Sequence, residues 1–216
     1  VAGTFGQILK ATGTAGLTVG GVLVGGGTGE VEALAVMTNG QLLIGDGSGA
    51  PTLATLTGTA GDITVTDGAG TITLSHADIS ARAYNDANIS INNDTVTALT
   101  FNQERFDTNT IHSTVSNTGR LTATTAGKYA IWGNVAFASN TTGVRRTQIR
   151  LNGSTILATQ GISAASAGAS FLTVTTYYSL SATDYVELLV YQDSTAALNA
   201  ITSVNESPEF SMVKVP

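Results

Sequence analysis

Residues 1–75 form a glycine- and threonine-rich segment whose apolar runs are too short to bury themselves. The clearest runs are Val22–Val24, Leu42–Ile44 and Ile63–Val65, each followed within a few residues by glycine. Glycine supplies the positive φ angles that tight turns need, so each unit is typical of a short strand and a turn. A strand this short is stable only when it packs against other repeats or other chains. The segment therefore predicts an intertwined β-rich shaft; the alternative is a flexible glycine/threonine linker.

The same segment contains internal repeats. Val22–Gly29 matches Leu42–Gly49, about 20 residues later along the chain. Ile63–Leu74 alternates apolar and polar residues around Asp67-Gly68, a strong turn signal that predicts a β-hairpin. Gly40–Pro51, which reads Gly-Gln-Leu-Leu-Ile-Gly-Asp-Gly-Ser-Gly-Ala-Pro, resembles the shaft repeats of bacteriophage tail fibres. The resemblance implies that residues 1–75 are a fibre shaft.

The pattern changes after a junction at residues 76–80. In residues 81–216 glycine becomes less frequent, alternation lengthens, and about ten strands with no helix are expected. In one of these strands Tyr129, Ile131 and Val135 fall on one face and Trp132 on the other. Many short strands separated by turns predict a sandwich or a barrel.

The order of strands and turns in residues 81–216 is more specific than any one of them. The features come in the order Gly119-Arg120-Leu121, Gly127-Lys128-Tyr129, Asn152-Gly153, Leu180–Val186 and Phe210-Ser211. This order resembles the C1q/TNF-like jelly roll. The resemblance implies an all-β jelly-roll sandwich that forms a homotrimer about a three-fold axis and recognises ligands without catalytic residues. We expect Tyr129, Trp132 and Leu188 in its core or trimer interface.

The composition also favours assembly. Charged residues make up 11% of the chain, less than half of the roughly 25% typical of soluble domains, while hydrophobic residues make up 42%. No apolar run approaches the ~18–20 residues that a membrane-spanning helix needs, which argues against membrane insertion. Burial of apolar surface between identical chains is the remaining explanation, since obligate interfaces resemble a domain core cut in half.

Several chemical functions are disfavoured by the residues present. The net charge of −6 argues against nucleic acid, which calls for basic surfaces. With no cysteine, disulfides and thiol nucleophiles are excluded. His76 and His112 lie in different modules, and the acidic residues are scattered, with Asn92-Asn93-Asp94 reading as a turn. We therefore expect no enzymatic activity, no cofactor and no metal site.

A repetitive shaft followed by a trimeric head is the layout of an adhesive fibre. The sequence predicts a fragment of a phage tail fibre, which belongs to the virion outside the cell and is joined to upstream fibre or tail proteins. Its head would bind a host cell-surface glycan or protein, the glycan being favoured. The absence of Met before Val1 fits a fragment. Two alternatives stay open: a purely structural trimerisation cap or capsid decoration fibre, and a bacterial surface filament with a C1q-like tip.

Strand direction predicts which loops face away from the shaft. If the last strand ends where the chain enters the head, antiparallel alternation places Ser139–Val144, Gly161–Ala169 and Asp193–Pro208 at the far tip. The turns Asn152-Gly153 and Ser181–Asp184 then face the shaft. Because loops on a rigid scaffold commonly carry recognition, we expect ligand contacts from polar or aromatic side chains in and beside the tip loops: Asn140, Thr141, Arg145, Tyr191, Asp193, Ser194 and Asn199.

Overall fold

The computed structural model describes residues 21–25, 31–45, 47, 49, 51–59 and 62–215. All regular secondary structure in these residues is β-strand, as predicted, and they contain no helix. They fall into two compact units that divide between Ala77 and Asp78. The first 20 residues of the predicted shaft, and the part of the Val22–Gly29 repeat beyond Gly25, lie outside the described residues.

The first unit, in its described part, consists of three antiparallel hairpins. They pair β1 (Leu23–Gly25) with β2 (Val31–Ala33), β3 (Gln41–Ile44) with β4 (Thr52–Thr55), and β5 (Ile63–Gly68) with β6 (Thr71–His76). A two-stranded sheet is marginally stable alone, because it has no second layer to cover its apolar face. Accordingly Leu42, Ile44 and Leu74 are 38%, 42% and 58% exposed.

The turn of the third hairpin differs from the prediction. The sequence places it at Asp67-Gly68, but both residues belong to β5, and the turn lies at Ala69-Gly70, where Gly70 has a φ of 73°. The predicted hairpin is confirmed, but the predicted position of its turn is wrong. The later turn sets Val65 opposite Leu74, an apolar cross-strand pair. A two-residue turn at Asp67-Gly68 would instead place glycine opposite that valine.

The second unit is a sandwich of two antiparallel sheets. Its strands are β7 (Ser80–Tyr84), β8 (Ile89–Ile91), β9 (Thr97–Ala98), β10 (Gln103–Asp107), β11 (Arg120–Thr122), β12 (Gly127–Phe137), β13 (Val144–Leu151), β14 (Thr155–Ser163), β15 (Ser170–Leu180), β16 (Tyr185–Gln192), β17 (Leu198–Ala200) and β18 (Glu209–Val215). Sheet I has the order β10-β7-β18-β12-β15, with β17 and β8 extending it beside the end of β12. Sheet II has the order β11-β16-β13-β14, and β9 also pairs with β16.

The path of the chain through these sheets is that of a jelly roll. From β11 in sheet II it crosses to β12 in sheet I, then forms the β13–β14 hairpin in sheet II. It crosses again to β15, back to β16, and finally to β18, which lies beside β7 in sheet I. Strands that are distant in sequence thus become neighbours, as in a double Greek key. The predicted all-β jelly-roll fold is confirmed by this strand order.

The core lies between the two sheets. Tyr129 points inward and is fully buried, whereas Trp132 lies on the outer face of sheet I, as the alternation predicts. Leu188 of β16 packs against Gly133 of β12, where an added Cβ would lie 2.4 Å from a Leu188 methyl carbon. The glycine therefore marks a close approach of the two sheets, which a side chain at this position would prevent.

The two ends of the sandwich differ. Val213 pairs with Ser80, so the last strand ends where the first begins; we call this the proximal end and the opposite one the distal end. Strand directions place the turns Asn152-Gly153 and Ser181–Asp184 at the proximal end. The loops between the sheets' other ends are distal: Ser139–Val144, Gly161–Ala169 and Asp193–Pro208. The predicted distribution of loops within the jelly roll is confirmed.

Candidate functional site

Arg145, one of the predicted contact residues, is fully buried beneath a distal loop. Its guanidinium donates to the backbone oxygens of Thr142 at 3.0 Å, Val144 at 2.9 Å and Asn140 at 3.1 Å. Burial lowers the pKa of Arg145, and the negative charge of Asp193 partly offsets this effect. The side chain thus shapes the loop from inside and is not available to a ligand at the surface of the chain, contrary to the prediction.

Asp193 and Ser194 also take part in the internal bonding of the distal loops. A carboxylate oxygen of Asp193 accepts a hydrogen bond from the backbone nitrogen of Val144. At Gly143, which has a φ of 79°, a Cβ would lie 2.0 Å from that oxygen. Ser194 is 2% exposed and donates to the side-chain oxygen of the buried Gln192. Ser194 is therefore a second predicted contact that is buried, because it links its loop to the end of β16.

Tyr191 lies on the outer face of sheet II within a small polar cluster. Its hydroxyl donates to Asp94 at 2.6 Å, and this hydrogen bond is the main cause that raises the pKa of Tyr191. The guanidinium carbon of Arg146 lies 4.5 Å from the centre of the ring, a cation–π contact. Asp94 is exposed, and the other two side chains are half-buried. The cluster has hydrogen-bonding capacity at the surface, and neither Asp94 nor Arg146 was predicted.

The remaining predicted contacts are at the surface of the distal end. Thr141 and Asn199 are exposed, and Asn140 is half-buried with its side-chain oxygen accepting from the Thr142 backbone at 2.8 Å. The backbone of Asn199 accepts from Ala138 at 2.9 Å, which ties β17 to the end of β12. A contact role for Asn140, Thr141, Tyr191, Asp193 and Asn199 stays a prediction.

The three residues predicted for the core or trimer interface divide into two kinds. Tyr129 and Leu188 are both 0% exposed within the single chain and lie between its sheets. Trp132 lies on the outer face of sheet I, opposite Thr175 of the edge strand β15. On that same face Phe171 is 65% exposed and Tyr177 is 56% exposed. We refer to Trp132, Phe171 and Tyr177 as the aromatic face.

A group of side chains that was not predicted forms a cleft beside the distal end of sheet I. The cleft has a volume of about 440 Å³ and is lined by Tyr84, Asp86, Arg105, Thr202, Ser203 and Val204; we refer to it as the distal cleft. The guanidinium carbon of Arg105 lies 4.1 Å from the centre of the Tyr84 ring. Val204 is 84% exposed. The cleft therefore combines an aromatic ring, a cation, a carboxylate, hydroxyls and one exposed apolar side chain.

One wall of the distal cleft rests on a buried carboxylate. Glu209 of β18 is 2% exposed, and Arg105 binds one of its oxygens through Nε at 3.0 Å and Nη2 at 2.9 Å. Arg82 binds the other oxygen through Nε at 2.7 Å and through Nη2. We call Arg82, Glu209 and Arg105 the Glu209 network. The two arginines compensate the buried negative charge of Glu209 from both sides. A buried carboxylate without such partners would be strongly destabilising.

The distal cleft is not marked by any local pattern in the sequence. Its residues come from three separate stretches, around Tyr84, around Arg105 and at 202–204, and they meet only because β7 lies between β10 and β18. The one available signal was the polar loop Asp193–Pro208, which was predicted to be distal and does contain Thr202–Val204. The contacts predicted in that loop are Asp193, Ser194 and Asn199, which do not line the cleft.

Other chemistry is limited in the part of the chain that the structure describes. There, no three histidine, aspartate or glutamate side chains group as a metal site would require. No helix in the described residues is long and apolar enough to cross a membrane. The buried His112 contacts Glu104 at 2.8 Å through Nδ1 and the Thr118 carbonyl at 3.1 Å through Nε2, whereas His76 is exposed in the first unit. His112 thus connects the loop before β11 to β10.

Comparison with known proteins gives similarity of structure only. No family model matches the chain, and no curated protein matches it by sequence. Among solved structures, Eiger TNF from S. frugiperda is 12% identical, with a TM-score of 0.47 over 65% of this chain and 94% of that one. Murine APRIL is 15% identical, with a TM-score of 0.49 over 64% of this chain and 99% of that one. The jelly-roll assignment therefore rests on the strand order described above.

Proposed function

We propose that the chain is part of a bacteriophage tail fibre whose head binds a molecule on the bacterial surface, with a glycan favoured. The observation that carries the proposal is the asymmetry of the jelly roll. Polar loops and the distal cleft lie at the distal end, while the turns at Asn152-Gly153 and Ser181–Asp184 close the proximal end. Loops supported by a rigid sandwich are a common platform for recognition. The fibre would belong to the virion and join upstream fibre or tail proteins through the preceding shaft.

The proposal includes assembly into a homotrimer. The aromatic face exposes Phe171 and Tyr177, and the hairpins of the first unit expose Leu42, Ile44 and Leu74. Exposed apolar surface of this kind favours an interface, and contact between copies would remove it from water. The low proportion of charged residues, 11%, supports the same conclusion, because few charged side chains are available to cover a fully solvated surface.

We expect the purified chain to be a trimer at micromolar concentration, measured by light scattering. Replacing Trp132 with Ala should shift it toward monomers, because an aromatic anchor at an interface commonly contributes about 2–4 kcal/mol. Val115→Ala is the matched control, since Val115 is 90% exposed in a loop outside the aromatic face. A wild-type monomer, or equal masses for the two variants, would contradict assembly through the aromatic face.

We expect the fluorescently labelled chain to bind some strains in a panel of bacteria and not others. If the receptor is a glycan, periodate oxidation of the cells should abolish binding, whereas protease treatment should preserve it, because periodate cleaves vicinal diols. Binding that survives periodate and is lost to protease would make the receptor a protein. Binding to none of the strains would count against the proposed recognition role.

A structural cap is the second candidate function. It is favoured by the internal bonding of the distal loops, in which Arg145, Gln192 and Asp193 are used for stability. A cap would hold the three chains of the shaft in register and would need no receptor. It predicts a trimer that binds no strain, so the two experiments above distinguish it from the receptor-binding head.

A further inference from the structure

A β-bulge in β10 directs the guanidinium of Arg105 into the distal cleft. The pairing of β10 with β7 shifts between Glu104 and Phe106, so Arg105 is the extra residue. A bulge reorients a side chain relative to the regular alternation, and bulges are frequent beside functional sites. Here the reoriented guanidinium lies 4.1 Å from the centre of the Tyr84 ring.

The Glu209 network holds this guanidinium in place. Both Nε and Nη2 of Arg105 bind Glu209, at 3.0 and 2.9 Å. A buried ion pair commonly adds little net stability, because desolvation of the charges offsets their attraction. Only 11% of the residues in the chain are charged, yet three of them form this one network. This concentration of charge indicates that the network serves to position the Arg105 side chain. A fixed guanidinium loses less entropy when a ligand binds.

The same network holds the turn that carries Val204. Nη2 of Arg82 donates to the backbone oxygen of Asn205 at 3.1 Å. The turn is closed by a bond from the Ser203 nitrogen to the Ser207 oxygen at 2.9 Å. Val204 projects from it with 84% of its surface exposed. One buried carboxylate thus supports two walls of the distal cleft through two arginines.

The polar groups of the cleft are suited to hydroxyls. Asp86 accepts from the side-chain amides of Asn102 at 2.7 Å and Gln103 at 3.3 Å, and it forms no ion pair with a residue that the structure describes. The Tyr84 hydroxyl likewise makes no hydrogen bond within the described part of the chain. The Glu209 network has two arginines and one carboxylate, so its net charge is +1. The carboxylate of Asp86 balances this charge, and the four charged side chains in and beside the cleft sum to zero, which favours a ligand without net charge.

From these groups we infer that the distal cleft binds a neutral pyranose of a surface glycan, and its biological setting rests on the proposed function. The volume of about 440 Å³ lies within the range of small-ligand sites, about 300–1,000 Å³. Sugar hydroxyls donate to Asp86 and accept from Arg105, while the C–H face of the ring contacts Val204 and the edge of Tyr84. The arrangement combines an apolar contact with a few oriented polar groups, as such sites require.

The test is a titration of the isotope-labelled full chain followed by backbone amide NMR. The ligands are the methyl α-glycosides of glucose, galactose, mannose and rhamnose, with N-acetylneuraminic acid as the anionic comparison. We expect at least one neutral glycoside to shift the amides of Asp86, Ser203 and Val204 in a saturable way. Failure of every neutral glycoside, or binding of the anionic sugar alone, would overturn the inference.

Two variants locate the binding. Asp86→Asn should weaken the best glycoside about tenfold, the scale of a hydrogen bond to a charged group. Val204→Ser should weaken it about fivefold through loss of apolar contact. Val115→Ser is the matched control, because Val115 is 90% exposed and lies outside the cleft. All three variants should keep the wild-type melting temperature. Equal affinities for Val204→Ser and Val115→Ser would overturn the assignment of the site.

The bacterial binding assay separates this inference from the proposed function. If both cleft variants bind cells as well as wild type does, the receptor site lies elsewhere and only this inference fails. If the wild-type chain binds no strain, the proposed function fails. A saturable titration would then still assign the sugar site.

Discussion

Replacing Leu188 with Ala should lower the free energy of unfolding of the head by about 3–5 kcal/mol. This is the usual scale for truncating a large buried aliphatic side chain, since the loss of transfer free energy adds to the cost of a cavity. Leu188 is 0% exposed and fills the space above Gly133 between the two sheets. No side chain on the glycine can expand into that space. Three copies change at once in a trimer, so we also expect loss of assembly.

Chemical denaturation followed by tryptophan fluorescence measures this effect, because Trp132 is the single tryptophan of the chain. Val115→Ala removes comparable atoms from an exposed site and should change the free energy of unfolding by less than about 0.5 kcal/mol. A Leu188→Ala protein with the midpoint and mass of wild type would show that the sheets do not pack through this contact.

The substitution Glu209→Ala, which removes the buried carboxylate, should have the second large effect. We expect it to lower the free energy of unfolding by about 2–4 kcal/mol. Breaking a buried ion pair on one side leaves its partners without compensation, which commonly costs about 3–5 kcal/mol. The two arginines are partly exposed, with 32% and 27% of their side-chain surface accessible, so water compensates part of the loss. Asn205 would also lose the fixed position of its donor, Arg82.

Glu206→Ala is the matched control for this prediction, since Glu206 lies in the neighbouring turn and is exposed. Its bond from the Ser203 hydroxyl is at the surface, and we expect a change of less than about 1 kcal/mol. Urea denaturation of both variants measures the two free energies of unfolding to be compared. Equal stabilities for Glu209→Ala and Glu206→Ala would mean that the Glu209 network does not support the cleft.

Much of the jelly roll could be predicted from local pattern. The period-two alternation from Tyr129 to Val135 reports burial on one face directly, and the structure buries the same face. Asn152-Gly153 forms its turn because both residues adopt positive φ, 48° and 70°. At Asp67-Gly68 the same kind of signal was misleading, since a second glycine two residues later allowed a register with a better apolar pair.

The candidate site was harder to predict, because the hydrogen-bond partners of a polar side chain do not follow from the local sequence pattern. Arg145 and Ser194 looked like surface loop residues, yet each bonds inward to its own loop or strand end. Conversely, Arg105 had no local feature that marks it, since its bulge depends on how β10 meets β7. Contacts between strands far apart in sequence decide such positions, and a single sequence does not report them.

We propose that the distal end of the head meets the bacterial surface. Because the chain has no cysteine, a single introduced thiol can carry a bulky polyethylene glycol at a chosen place. Val204→Cys places it at the distal cleft, and Ala182→Cys places it in an exposed turn at the proximal end. Binding of the two conjugates to a susceptible strain, measured by flow cytometry, should be lost for the first and kept for the second. Loss only with the Ala182→Cys conjugate, or full binding by both, would contradict recognition through the distal end.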